Sequence, residues 1–427
     1  MNKNRFVALL LSFGLLLSAA SPIAVAQTGS ETLSCGEERE VEPGLMTEQT
    51  YNRMNEAFEM IGEEEYDAAY QELDNLRKAR MSDFEKASVE QAMGFITAQR
   101  EQYDGAIRHF SEAVRLNQLP NQTHFEMILQ IAQLYNALEQ YDQALDQLDF
   151  WFCVSTEEAK KVAEVWVLKA SLHLQKDDYR EALSALDQAI EIADEVPESW
   201  YRLKLGILLE LEEYRLAVDV AKTLIEVDPN RKEYWSQLSG IYMELNENQN
   251  AMATLQLAYR RGLLDRGSEF TQLAGLLQQE AAPRLAAEVM QDGLERGFIE
   301  QTANNWQMTA GAWYEARELD QSLDAYEQAG NLSDSGKIDF QRASIMTAEE
   351  NWQGTLEAAT RALEKGDLTQ SQEGTSNLLI GMAQFNLDNL DQAEQAFKRA
   401  ANYGTLRSAA REWLNHIEQT RQRLASR

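Results

Sequence analysis

The sequence predicts an all-α fold, a solenoid of about ten stacked helix hairpins closed by a C-terminal capping helix, and three observations predict it. Small residues recur at Ala69, Ala106, Ala144, Ala182, Ala217, Ala251, Ala286, Ser322, Thr355 and Ala393, spaced by about 33 to 38 residues, near the period of helical hairpin repeats. Three positions before them an aromatic opens the second helix at Tyr66, Tyr103, Tyr141, Tyr179, Tyr214 and Trp352. Seven positions after them alanine returns at Ala113, Ala189, Ala258, Ala329, Ala362 and Ala400. The stretch from Trp235 to Gly262 shows why this spacing makes a hairpin. Trp235, Leu238 and Tyr242 fall on one face of a first helix, and Ala251, Leu255 and Ala258 on one face of a second, with Asn246 and Asn248 at the turn. Two helix axes approach closely only where side chains are small, so Ser239 and Ala251 mark the contact and the aromatics fill the wedge beside it. One hairpin cannot bury both faces, and it must stack on others.

Taken in order, residues 1–26 read as a secretory signal. Lys3 and Arg5 precede an apolar run from Phe6 to Leu17, and Ala24-Val25-Ala26 places the cleavage between Ala26 and Gln27. That run is shorter than the roughly 20 residues needed to span a bilayer. A lipid anchor on Cys35 is disfavoured, because the residues before it are Thr32, Leu33 and Ser34, far from the apolar run. Residues 27–47 form a polar, acidic lead without helical period, and it carries Cys35, one of two cysteines. The other, Cys153, closes the second helix of the third unit. In an oxidising compartment the two are expected to pair, clipping the lead to unit three and adding about 3 to 5 kcal/mol in the loop-entropy account. Two separate thiols are the alternative.

Units one to five span 48–231 and end mostly in turns containing proline, at Pro120, Pro197 and Pro229. Units six to ten span 232–404 and close with Gly262, Gly297, Gly366 and Gly404, each followed by an apolar residue (Leu263, Phe298, Leu368, Leu406) able to fold back on the last turn. The change near Arg231 reads either as two sub-arrays or as two styles of punctuation. Units eight and nine, with Ser322, Thr355 and the segment from Asn331 to Gly336, carry the weakest pattern. From residue 405 to 427 a stripe through Leu406, Trp413, Ile417 and Leu424 reads as the cap, although its arginines also fit an acidic membrane or partner.

The formal net charge is -31 with 44% hydrophobic residues. Such acidity disfavours nucleic-acid phosphates and anionic lipid and favours basic partners. A solvated surface is the plain reading, and an acidic groove for a cationic segment the sharper one. Catalytic chemistry is not written in the motifs. His109, His124, His173 and His416 stand in different units, without metal-ligand spacing, and read as polar or half-buried surface residues. The run Glu63-Glu64-Glu65 falls in a turn, too solvated for acid-base work. No cofactor and no enzymatic activity are expected.

The repeated positions resemble the tetratricopeptide repeat over nearly the whole chain after residue 47. That resemblance implies a right-handed α-solenoid whose inner groove is lined by first-helix side chains. Carried onto this chain, these include Leu129, Gln133, Asn136, Glu164, Val167, Ser171, Glu233, Ser236, Met243, Glu244, Asn304, Gln307, Tyr314 and Glu315. No unit has the paired lysine and asparagine with which some members of the family hold a peptide's terminal carboxylate. Carboxylates and amides in the groove would suit an extended basic or proline-rich segment. More narrowly, Cys35-Gly36, the segment from Thr50 to Leu73, DFWFCVS around Cys153 and the unit ending in YRRGLL resemble exported tetratricopeptide proteins associated with Gram-negative TonB systems. This likeness implies a periplasmic adaptor coupling the inner-membrane motor to uptake of iron complexes, with TonB-system components as partners. A scaffold for envelope growth or outer-membrane assembly is the alternative.

Overall fold

The computed structural model describes residues 39, 41 and 44–425. The expected signal cleavage between Ala26 and Gln27 and the cysteine Cys35 lie outside the described residues. Ten hairpins follow one another: α1 Glu48–Gly62 with α2 Tyr66–Arg77, α3 Asp83–Gln99 with α4 Tyr103–Leu116, α5 Asn121–Ala137 with α6 Tyr141–Val154, α7 Ala163–Gln175 with α8 Tyr179–Ile192, and α9 Glu198–Glu210 with α10 Tyr214–Val227. Then come α11 Lys232–Glu244 with α12 Asn248–Arg260, α13 Gly267–Gln279 with α14 Pro283–Glu295, α15 Ala303–Glu315 with α16 Leu319–Asn331, α17 Lys337–Ala348 with α18 Trp352–Lys365, and α19 Gln370–Asn386 with α20 Leu390–Ala400. The last helix, α21, runs Arg407–Ala425. No strand occurs among the described residues. The described residues divide into two compact units, those up to 194 and those from 195 on, and within each every helix packs on the one before and the one after. The architecture is therefore an all-α solenoid. The change from proline to glycine punctuation, at Arg231, falls inside the second unit.

All ten predicted contact residues, from Ala69 to Ala393, are fully buried at 0% exposure. Twelve positions before them the first helices carry a second series of small residues: Ala57, Gly94, Ala132, Ala170, Ser239, Ala274, Ala310, Ala343 and Gly381, with Leu205 alone breaking the pattern. Where serine stands on one side, its hydroxyl is satisfied across the pair, whereas the Thr355 hydroxyl meets that of Thr347 at 3.3 Å. Ser239 Oγ donates to the Ala251 carbonyl at 3.1 Å, and Ser322 Oγ donates to the Ala310 carbonyl at 2.9 Å. Size is complementary as well. A Cβ on Gly94 or Gly381 would come within 2.5 Å of Phe110 or Phe397, the aromatics that occupy the space those glycines leave.

Every hairpin turn has the same backbone. The residue five positions before each contact residue has positive φ, at Glu64, Glu101, Glu139, Asp177, Glu212, Asn246, Ala281, Arg317, Glu350 and Asp388. The following N–H reaches back to the carbonyl five residues earlier, as in Glu65 to Met60 at 2.8 Å and Ala282 to Leu277 at 2.8 Å. This bond satisfies one of the carbonyls orphaned at the helix end. None of the ten is glycine, so each left-handed residue costs about 1 kcal/mol that the stacked helices offset. Between hairpins, Gly262, Gly297 and Gly366 take positive φ as expected. Gly404 does not. It opens a short 3₁₀ turn, Gly404–Leu406, that leads straight into α21.

The cap closes on α20 as an apolar lid. Ile417 is buried, and Trp413 stacks on Phe397 at 5.4 Å between ring centres. Arg421 donates to Glu394 at 2.6 Å and to Asp391 at 2.5 Å. Leu424, placed on the stripe by its spacing, is instead 57% exposed, because the helix runs past the edge of the surface it covers.

At the other end the lead is pinned by two polar anchors. The buried Arg39 guanidinium donates to Asn117 Oδ1 at 2.7 Å, to the Leu119 carbonyl at 2.6 Å and to Asn121 Oδ1 at 2.5 Å, and burial lowers its pKa to about 10. Thr47 N–H and Oγ1 both donate to Glu85 Oε1 at 2.9 Å, while Ser82 N–H donates to Glu85 Oε2 at 2.8 Å. Burial opposes ionisation of Glu85, but the hydrogen bonds from Ser82, Thr47 and Thr50 outweigh it and hold the pKa down at about 2.

Two outcomes follow from these features. Ala281 is exposed and left-handed, so Ala281→Gly relieves strain while adding unfolded-chain entropy, for a net gain of about 0.5 kcal/mol. A higher urea midpoint would show this gain, and a lower one would contradict the turn geometry. Because the folded pKa of Glu85 is depressed, its contribution is present above about pH 4.5 and is lost as pH falls toward 2. Glu85→Gln is expected to cost about 2 to 3 kcal/mol at pH 7 and to flatten the loss of stability across that window in acid melts.

Candidate functional site

Stacking in register brings first helices side by side, and the residues they show on that face form the candidate site. In the second unit a cavity of about 790 Å³ opens along α15, α17 and the start of α19. From α15 it is lined by Gln307, Tyr314 and Glu315, three of the predicted groove residues. Its floor is α17, which contributes Phe340, Gln341, Ser344, Ile345, Ala348 and Glu349, with Lys337 at one end. Arg317 and Leu319 border it at the α15–α16 turn, and Gln372 of α19 closes the far side.

The supporting bonds fix this face. Gln341 Nε2 donates to the hydroxyl of buried Tyr326 at 2.6 Å, and Lys337 Nζ pairs with Asp367 at 2.9 Å. Behind the floor, wholly buried Asp339 on α17 receives Arg361 Nε at 2.6 Å and Lys365 Nζ at 2.8 Å, both from α18. Lys365 also donates to the Gly330 carbonyl at 2.5 Å and Arg361 to Asn331 Oδ1 at 3.0 Å. This network ties hairpin eight to hairpin nine at the segment where the sequence pattern is weakest. Gly336 ties the start of α17 to the end of α18 within hairpin nine: its N–H donates to the Gly366 carbonyl at 2.9 Å, and a Cβ there would run into the Ala362 carbonyl. Tyr314 is left 50% exposed over the cavity.

Elsewhere the predicted groove residues stand on first helices without lining this cavity. In the first unit Gln133 and Glu164 are exposed, Asn136 and Val167 are half-buried, and Leu129 packs into the core beside Phe125. Ser171 Oγ turns onto its own helix, donating to the Val167 carbonyl at 2.9 Å. In the second unit Ser236 Oγ donates to Glu269 Oε1 at 3.2 Å, and Met243 Sδ accepts from Gln272 at 3.2 Å. Glu233, Glu244 and Asn304 are exposed. The α17 residues escaped the sequence reading, although a signal was present. Carrying Asn304, Gln307 and Glu315 forward by the step from Ser322 to Thr355 lands on Lys337, Phe340 and Ala348.

Two histidines are not at the surface. His109 is buried between Glu90, 2.6 Å from its Nδ1, and Tyr70, 3.3 Å from its Nε2. His124 is 1% exposed behind the lead, and burial, with Arg39 nearby, lowers its pKa to about 3. Both lie on faces that adjoining elements cover, a contact invisible to the spacing. Glu63, Glu64 and Glu65 are exposed in their turn, as expected. Among the described residues no group of three or more His, Cys, Asp or Glu is placed to hold a metal, and no helix is long and apolar enough to cross a membrane. Cys153 sits half-buried at the end of α6.

Hairpin ten matches a known repeat family. Residues 375–403 match the tetratricopeptide repeat. They cover most of the α19–α20 hairpin and run three residues past its end. A second family, ChAPs (Chs5p-Arf1p-binding proteins), matches residues 153–258. No curated protein matches the chain. Among solved structures, a tetratricopeptide repeat protein from Parabacteroides merdae is 13% identical, with 64% of this chain and 99% of that one covered at a TM-score of 0.36. The C-terminal part of a repeat protein from Cytophaga hutchinsonii is 15% identical over 57% of this chain and 98% of that one, with a TM-score of 0.33. YrrB, described as a tetratricopeptide protein with an unusual peptide-binding site, is 14% identical over 51% and 97%, with a TM-score of 0.32. At these scores the likenesses carry no argument about partner or activity.

Proposed function

We propose that this chain is a non-enzymatic protein-interaction scaffold, and that the groove over α15, α17 and α19 holds an extended segment of a partner. The cavity carries the reading: about 790 Å³ of open space on first-helix faces, with an exposed tyrosine and a phenylalanine among amides. Amides suit the backbone of an extended strand, and aromatic faces take its side chains at small entropic cost. On the resemblance set out above, the place of action is the periplasm and the partner a component of a TonB-dependent energy-transduction system serving iron uptake. The acidity of the chain supports that reading, since a net charge of -31 favours basic, proline-rich segments. In that compartment Cys35 and Cys153 would pair, holding the lead already anchored by Arg39.

A photocrosslinker in place of Tyr314, used in iron-limited cells, is expected to capture a TonB-system protein. The same group in place of Leu257, exposed on α12, is expected to capture none. Capture of envelope-growth machinery from Tyr314, or of nothing, would overturn the assignment.

A further inference from the structure

We infer that the segment accepted by this groove carries an apolar side chain with a lysine or arginine two or three positions away, the cation lying at the Glu315–Glu349 end. This inference rests on the groove reading above and adds the class of ligand. Glu315 ends α15, and Glu349 directly follows the end of α17. Both line the cavity and both are exposed. Neither helix has a basic residue in its last turn. A helix C-terminus favours a cation, yet here two carboxylates stand at two adjacent C-termini. Arg317 borders the same end, and one guanidinium against two carboxylates and two helix ends leaves that end net negative. A cation from outside completes it.

The other end is different in kind. Lys337 opens α17 and is already paired with Asp367. From Lys337 to Glu349 the helix rises about 18 Å, the length of about five or six extended residues. Phe340, Ile345 and Tyr314 lie between the two ends, so an apolar side chain seated there falls within a few residues of the cation. An acidic segment would meet like charge at Glu315 and Glu349, and a wholly apolar one would leave both carboxylates without a partner.

The test is a random dodecapeptide library displayed on phage and panned on the full chain, on Glu315→Gln/Glu349→Gln, and on Tyr314→Ala/Phe340→Ala. The expected result is enrichment of an apolar residue with lysine or arginine two or three positions away. A resynthesised peptide should bind at least tenfold more weakly to the Gln variant and show no measurable binding to the Ala variant. Peptides that need Tyr314 and Phe340 but lack the cation, or bind the Gln variant equally well, would overturn the ligand class and leave the groove reading standing. Peptides indifferent to all three proteins, or none recovered, would overturn both. Circular dichroism of the variants separates lost binding from lost fold.

Discussion

The structure depends on one recurring contact, the close approach of two antiparallel helices at a pair of small side chains. At Ala251 against Ser239, and at Ser322 against Ala310, no side chain beyond a methyl or a hydroxyl separates the backbones. Packing density then comes from the aromatic and leucine side chains that fill the flanking wedges, as Phe110 does over Gly94 and Phe397 over Gly381. All ten contact residues are completely buried, and nine of them have a small residue twelve positions earlier, Leu205 being the exception. The left-handed turn residues follow from the close approach, since a tight link between closely packed helices needs that backbone even where the residue is Glu or Asp.

From this constraint comes the site. Hairpins that pack alike present their first helices alike, so residues at equivalent positions in α15 and α17 line one cavity. No single hairpin contains it. The buried Asp339 network, through the bonds of Arg361 and Lys365 to Asn331 and Gly330, adds what the small-residue contact leaves unspecified, namely how hairpin nine sits on hairpin eight, and thus where Phe340 stands relative to Tyr314. A buried carboxylate with two cationic partners is a costly way to add stability but an effective way to select one arrangement, which is what a groove built from neighbouring repeats requires.

Much of the fold was legible in the residues because its determinant is local and periodic. The small residue, the aromatic three before it and the alanine seven after it place the second helices directly, and Tyr66, Tyr103, Tyr141, Tyr179, Tyr214 and Trp352 do begin them. The cavity was legible only in part. Gln307, Tyr314 and Glu315 could be placed by offset, and the same step reaches Phe340, whereas Ile345 has no counterpart among the predicted groove residues of α15. Contacts between elements distant in sequence left no trace at all. Nothing in the spacing marks Arg39 as an anchor for Asn117 and Asn121, or His124 as buried behind it.

The central claim is that the array stands on close small-residue contacts, and leucine substitution at those ten positions, one at a time, tests it most directly by urea unfolding. Each change should cost about 1 to 3 kcal/mol or more, with Ala251→Leu and Ala182→Leu, in different units, affected alike. Leucine tolerated at these positions as well as at exposed second-helix sites such as Glu288 would contradict the account.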